Sequence, residues 1–309
     1  MSRVLLTGAS GFVGTRVLRA LTVAGHEVHA VSSREQQPAD GVQWVMGDLL
    51  EPTTARDLME RLRPERLLHL AWIAKPGVYW TSPENICWVE ATLRLLREFA
   101  NHGGGRAVIA GSCAEYDWWS GDGLCVEAST PLRPATLYGI SKDATRSLSE
   151  AFAAAVGIEL SWGRIFYLYG PGEPGTRLVP FVAQALLEGR PADVGDGVQV
   201  RDFLHVDDVA EALVALLESH IEGPVNIGSG RGVAVRDVIE LVARSAERPE
   251  LVRFGARPPQ AREPPSLIAD VGRLQREVGF QPRIPLQAGI EETVAWWREA
   301  LGLASVSGA

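Results

Sequence analysis

From the first residues to about position 170, short apolar runs alternate with longer stretches whose apolar residues recur every three or four positions. The run RVLL predicts a buried strand. In FVGTRVLRALTVAG, Val13, Val17, Leu18 and Leu21 share one helical face, which stops at Gly25. EVHAVSS, VQWVMGDL, RLLHLAW and RAVIAGS predict further strands. A long helix is predicted from about Pro83 to Asn101, another opens at Tyr138, and the strand ELSWGRIFYLYG follows. Strand–helix alternation of this kind argues an α/β fold built on a doubly wound parallel sheet with helices on both faces. After Gly170 the Pro/Gly-rich YGPGEPG breaks the rhythm. Helical pieces (VPFVAQALLEG, DFLHVDDVAEALVALLES, VRDVIELVARSA) then mix with short strands such as PVNIGSG. The loop ARPPQAREPPS precedes two last helices, the final one carrying Leu286, Ile290, Val294 and Trp297 at core spacing. The expected division is a nucleotide-binding half, residues 1–168 plus 203–230, and a smaller C-terminal α/β substrate lobe, residues 169–202 plus 231–309, with a cleft between them.

Composition narrows the class. The chain has 309 residues, 46% hydrophobic and 22% charged, which is ordinary for a globular protein with a sizeable core. A net charge of -8 with scattered arginines disfavours nucleic acid as a partner. Cys87, Cys113 and Cys125 form no metal-binding or disulfide pattern, so no metal is expected and a reduced compartment fits. The opening MSRVLLTGASG has too short an apolar run for a secretory signal, and no run reaches membrane-spanning length. The expectation is a soluble, cytoplasmic protein.

Two local patterns carry chemistry. Gly8, Gly11 and Gly14 lie between the first strand and the first helix. That spacing suits a tight turn with close backbone approach to a pyrophosphate, the helix N-terminus facing the anion. The second strand ends in Ser32, Ser33 and Arg34 rather than in Asp or Glu. Hydroxyls and a guanidinium favour a 2′-phosphate, hence NADP(H) over NAD(H). Asp48, in GDLLEP, is expected at the adenine edge. The second pattern is LYGISK, which sets Tyr138 and Lys142 one helical turn apart. Lysine is rare beside arginine here, so a lysine in this place suggests a need for a compact ammonium.

TGASGFVG, GDL, HLAW, GSCAEY, YGISK, YLYGPGE, RDFLHVDD and NIGSG run in order across roughly residues 4–230. Together they resemble the extended short-chain dehydrogenase/reductase superfamily, in its nucleotide-sugar epimerase/dehydratase/reductase group. The resemblance implies a Rossmann fold, a nucleotide-sugar substrate, and a homodimer joined by a four-helix bundle from the helices near 84–101 and 138–156. It implies Tyr138 as catalytic acid/base, Lys142 as ribose ligand and the cation that lowers the tyrosine pKa, and Ser112 as the hydroxyl bonding the substrate oxygen. It further implies cofactor contacts from Ser10, Phe12, Val13, Leu49, Leu70, Ala71, Trp72, Phe166 and Leu168, beside the glycines, Ser32, Ser33, Arg34, Asp48, Tyr138 and Lys142. Arg201 and Arg262 match diphosphate-clamping positions. Tyr167 stands where the family usually has a substrate-binding Asn. Cys113 and Ala114 replace the Asp-Glu pair of the sugar dehydratases, which argues against dehydration. Trp72, Trp80, Trp88, Trp118 and Trp119 are expected to flank the cleft, as stacking or packing residues. The expected activity is NADPH-dependent reduction of a nucleotide-linked 4-keto-6-deoxy sugar. The alternatives are a 4-epimerase holding its NAD(P) tightly and, more remotely, a non-catalytic NADP(H) sensor.

Overall fold

The computed structural model describes residues 1–38, 41–258 and 263–303. The first half runs β1 (Arg3–Thr7), α1 (Phe12–Val23), β2 (Glu27–Ser32), β3 (Val42–Met46), α2 (Thr54–Leu62), β4 (Arg66–His69), α3 (Glu84–Asn101) and β5 (Arg106–Ser112). The short β6 (Leu124–Cys125), α4 (Leu137–Val156) and β7 (Glu159–Ile165) follow. The second half contains β8 (Tyr167–Tyr169), α5 (Leu178–Leu187), β9 (Ala192–Asp193), β10 (Val200–His205), α6 (Val206–Glu218) and β11 (Gly223–Ile227). It closes with β12 (Gly232–Ala234), α7 (Val235–Ser245), β13 (Val252–Arg253), β14 (Ser266–Ala269), α8 (Gly272–Arg276) and α9 (Leu286–Ala300).

Among the described residues, seven strands form one parallel sheet in the order β11-β7-β5-β4-β1-β2-β3. Successive residues of β1 face opposite sides. Val4 and Leu6 join a core with Val17 and Leu21 of α1 and Leu213 and Leu217 of α6. Leu5 joins the opposite core with Leu58 of α2, Leu95 and Phe99 of α3, and Ala153 of α4. Burial on both faces explains why these strands read as continuous apolar runs. A second sheet, ordered β12-β10-β14-β6 with β8 beside β10, lies under a third core. That core contains Val179 and Val182 of α5, Val238 and Val242 of α7, and Ile290 and Val294 of α9. Among the described residues, no helix is long and apolar enough to cross a membrane.

Chain order reverses direction between β1 and β4, a switch point at which the two connecting loops leave opposite faces of the sheet. A crevice at the carboxyl ends of the strands is the expected ligand site in such a sheet. His69, buried at the end of β4, bonds Thr7 at 2.6 Å and Thr92 of α3 at 2.9 Å, tying both strand ends to a helix at this point.

Candidate active site

A cleft of about 1030 Å³ runs along those strand ends. At one end, α1 begins directly after β1 with Gly11 as its cap, no side chain on its free N–H groups and no acidic residue in its first turn. A Cβ on Gly14 would stand 2.0 Å from the Gly8 carbonyl oxygen, so only glycine lets the helix start this close to the strand. The result is an open, positively polarised cradle for an anion. This geometry fits a dinucleotide pyrophosphate. Gly8, Ser10, Gly11, Phe12, Val13, Gly14, Ser32, Ser33, Asp48, Leu49, Leu70, Ala71, Trp72, Phe166 and Leu168 all line the cleft.

The three polar residues at the end of β2 are placed differently from one another. Arg34 is exposed and is not part of the lining, because the loop turns away after Ser33. Ser32 is buried, and its hydroxyl donates to the Arg34 carbonyl at 2.8 Å while accepting from the Arg34 and Gln36 nitrogens. Ser32 therefore shapes the turn, and Ser33 is the exposed side chain at the rim.

Midway along the cleft, Ser112 closes β5 and caps a single 3₁₀ turn, Cys113–Glu115. Thr136 caps α4 by accepting from Gly139 N at 3.1 Å. A Cβ on Gly139 would lie 2.3 Å from the Ala114 carbonyl oxygen, so glycine between Tyr138 and Lys142 allows α4 to press against this turn. That contact brings Tyr138 to Ser112, whose hydroxyl favours the phenolate by hydrogen bonding. Tyr79 packs edge-on against Tyr138 at 4.9 Å between ring centroids and Trp80 at 5.6 Å, with Trp118 edge-on to Trp80 at 5.9 Å. Desolvation in this aromatic box outweighs the Ser112 hydrogen bond and pushes the phenol above its ordinary value.

Lys142 is buried. Its ammonium donates to the Ala110 carbonyl at 2.8 Å and sits 3.8 Å from the centroid of the Trp72 ring. Burial pulls its pKa down to about 7. The expectation that this ammonium lowers the tyrosine pKa is thus not met by the two side chains alone: burial dominates at both groups. Lysine titrates about 3.5 units higher when unfolded, so above about pH 7 the unfolded chain binds the extra proton. Stability of the cofactor-free protein is expected to rise between about pH 7 and about pH 9. Lys142→Met should flatten that rise in denaturant titrations at the two pH values.

At the far end, Arg201 is buried, lines the cleft and pairs with Glu263 at 3.0 Å. Its guanidinium stands 5.5 Å from the Tyr167 ring centroid. Arg262 lies outside the described residues. Trp72, Trp80, Trp88 and Trp118 line the cleft, whereas Trp119 is 56% exposed and does not. Trp118 is held by its Nε1 donating to the Cys113 carbonyl at 3.0 Å, and nothing equivalent holds the neighbouring ring. Burial also pushes the Cys113 thiol up, so it stays neutral beside Ser112.

Several lining residues went unread in the sequence. Tyr79 comes from the loop after β4, where no spacing marks it. Glu173 and Arg177 come from the YGPGEPG break and the residue capping α5. Burial pushes the Glu173 carboxyl up to about 8, partly countered by Arg177. Arg177 also reaches Tyr79, its guanidinium 5.6 Å from that ring centroid.

A parallel sheet with a glycine cradle at its switch point and a Ser–Tyr–Lys set midway along the cleft defines a dinucleotide-dependent enzyme of the short-chain dehydrogenase/reductase type. The chain belongs to the NAD dependent epimerase/dehydratase family, whose model matches residues 4–228. It is 28% identical to a UDP-glucose 4-epimerase of Azospirillum brasilense, over 97% of this chain and 92% of that one. It is 27% identical to UDP-glucuronic acid decarboxylase 1 of Xenopus tropicalis, over 97% of this chain and 73% of the relative. Among solved structures, MoeE5 in complex with UDP-glucuronic acid and NAD superimposes with a TM-score of 0.85 at 33% identity, over 96% of this chain and 99% of MoeE5.

Proposed function

We propose that the chain reduces the keto group of a nucleotide-linked 4-keto-6-deoxy sugar with NADPH. The dinucleotide would lie on the Gly8–Gly14 turn, with Ser33 and Asp48 at its adenosine end and Lys142 at its nicotinamide end. When bound, the nicotinamide supplies the hydride. Tyr138 gives its proton to the carbonyl oxygen as charge develops there, and the Ser112 hydroxyl donates a hydrogen bond to the same oxygen. A phenol kept neutral by its aromatic surroundings is the protonation state a donor needs. Lys142, at the base of the helix turn, holds the ribose and offers positive charge to the phenolate left behind. Trp80 and Trp118 wall the reacting centre from water. Arg201 suits the diphosphate, its charge already shared with Glu263.

The observation that carries the direction of reaction is the end of β2, where Ser32 and Ser33 stand in place of an Asp or Glu and Ser33 offers a hydroxyl at the rim. Ser33→Asp is expected to weaken NADPH binding about tenfold, roughly 1.4 kcal/mol, with NADH affinity unchanged or improved. Nicotinamide fluorescence titration checks this. The 4-epimerase reading is favoured by the UDP-glucose 4-epimerase relatives, which match nearly the whole chain. Mixing the protein with NADPH and a panel of 4-keto-6-deoxy nucleotide sugars separates the two. Steady loss of nicotinamide absorbance means reduction; interconversion of 4-epimers with no loss means epimerisation. We further propose that the protein is a homodimer, since Ile86 on α3 and Ile140, Leu148 and Val156 on α4 leave apolar side chains exposed.

A further inference from the structure

Glu115 is entirely buried one residue past the dipeptide that replaces the dehydratase acid pair. Its carboxylate accepts from Ser112 N at 2.7 Å, from Trp162 Nε1 at 2.9 Å and from Arg164 Nε at 2.8 Å. Arg164 is as deeply buried, and its Nη1 donates to the Tyr116 hydroxyl at 3.0 Å. Tyr116 donates in turn to Asn226 Oδ1 at 2.8 Å, and Asn226 Nδ2 donates to the Cys125 and Asp270 carbonyls. The chain of bonds anchors the turn below Ser112 to β7, β11 and the residue after β14. It is costly to maintain: a buried ion pair loses the hydration of both charges, and a hydrophobic substitute is often no less stable. A turn that needed only packing would not require it.

The charge also has a target. Lys142 donates to the Ala110 carbonyl and Glu115 accepts from Ser112 N, two residues further along β5, so ammonium and carboxylate are held on the same strand end, with His69 of β4 the other titratable group acting on Lys142 and Tyr138 one turn back on its own helix. Burial pushes His69 down to about 3, so it is neutral at physiological pH, and Tyr138 is neutral as well. Glu115 is the group that favours the charged lysine against desolvation. We propose that Glu115 is the positioning residue of this site, its hydrogen bond fixing the Ser112 main chain and its buried carboxylate held on the same strand end as the Lys142 ammonium. It touches neither substrate nor cofactor. This proposal rests on the assignment of Ser112 and Lys142 to the active site, but not on whether the net reaction is reduction or epimerisation.

The test reads cofactor binding as well as turnover. Affinity for NADPH, followed by nicotinamide fluorescence from pH 5.5 to pH 9.5, should fall on the alkaline side as Lys142 loses its proton. In Glu115→Gln that limb should move to lower pH by about one unit, with kcat down about tenfold and KM changed less than threefold. Glu115→Asp keeps the charge but shortens the reach to Ser112 N. It should leave the limb near its wild-type position while kcat remains low. If Glu115→Gln is insoluble because Arg164 is left unpaired, the double variant Glu115→Gln/Arg164→Gln removes both charges and should move the limb in the same direction by less, since the lost guanidinium opposes the carboxylate. A folded Gln variant, single or double, with the wild-type limb overturns the proposal, as does equal displacement in the Asp variant. Wild-type protein that binds NADPH yet turns over no keto sugar would sink the reductase reading and leave these pH comparisons intact.

Discussion

Tyr138→Phe is expected to lower kcat about 10³-fold while NADPH affinity stays within about threefold of wild type. The phenyl ring keeps the contacts with Tyr79 and Trp80, so the aromatic box persists and the fold is preserved. What disappears is the hydroxyl proposed to meet the substrate oxygen beside Ser112. Ser112 alone can stabilise that oxygen by hydrogen bonding but cannot leave it protonated, which is why the loss should appear in kcat and not in KM. Single-turnover absorbance measurements with a keto sugar, set beside fluorescence titration of NADPH, provide the two readouts. A variant retaining more than a tenth of wild-type turnover would remove Tyr138 from the proton-donor role. A protein acting only as a cofactor sensor would keep its binding and its output in the same variant.

The other large effect is at the opposite end of the cleft. Gly14→Ala places a methyl group where the Gly8 carbonyl oxygen stands, 2.0 Å from its carbon. Both atoms belong to the main chain, so no rotamer change relieves the clash. Either α1 retreats from β1 or the turn opens. Retreat carries the free N–H groups away from the pyrophosphate; opening destroys the cradle itself. NADPH affinity should fall about 100-fold or more, roughly 2.7 kcal/mol. Packing of Val17 and Leu21 against β1 should loosen as well, costing about 2 kcal/mol of stability. Isothermal titration with NADPH and urea unfolding measure the two losses. Wild-type affinity in a stable Ala variant would show that the pyrophosphate lies elsewhere.

What the sequence revealed follows physical range. The glycine turn and the Tyr138–Lys142 pair are set by spacing along one turn or one helix, and the alternating apolar runs mark the parallel sheet because both its faces are buried. Effects set by distant partners were hidden. Glu115 sits inside the stretch GSCAEY, yet its meaning depends on Trp162 and Arg164, almost fifty residues on. Arg201 reads as a free diphosphate clamp until Glu263 is found beside it. Arg34 reads as a phosphate ligand because it follows Ser33; its main chain is bonded to the Ser32 hydroxyl, and its side chain is exposed outside the cleft lining. Adjacent Trp118 and Trp119 are equivalent as letters, and one hydrogen bond to the Cys113 carbonyl separates the wall from the surface. The depressed pKa of Lys142 is a property of enclosure, which no local pattern encodes.

The ion pair under Ser112 also has a temporal side. A ribosome releases the Glu115 carboxylate, the serine and the Tyr138 helix before β7 emerges with Arg164. Until then β5 is a bare sheet margin and the acid has no counterion. A nascent chain halted before residue 164 would therefore hold Ser112, Tyr138 and Lys142 but not the cation that lets the turn be enclosed. Enclosure of the proposed centre is thereby tied to completion of the sheet on its far side.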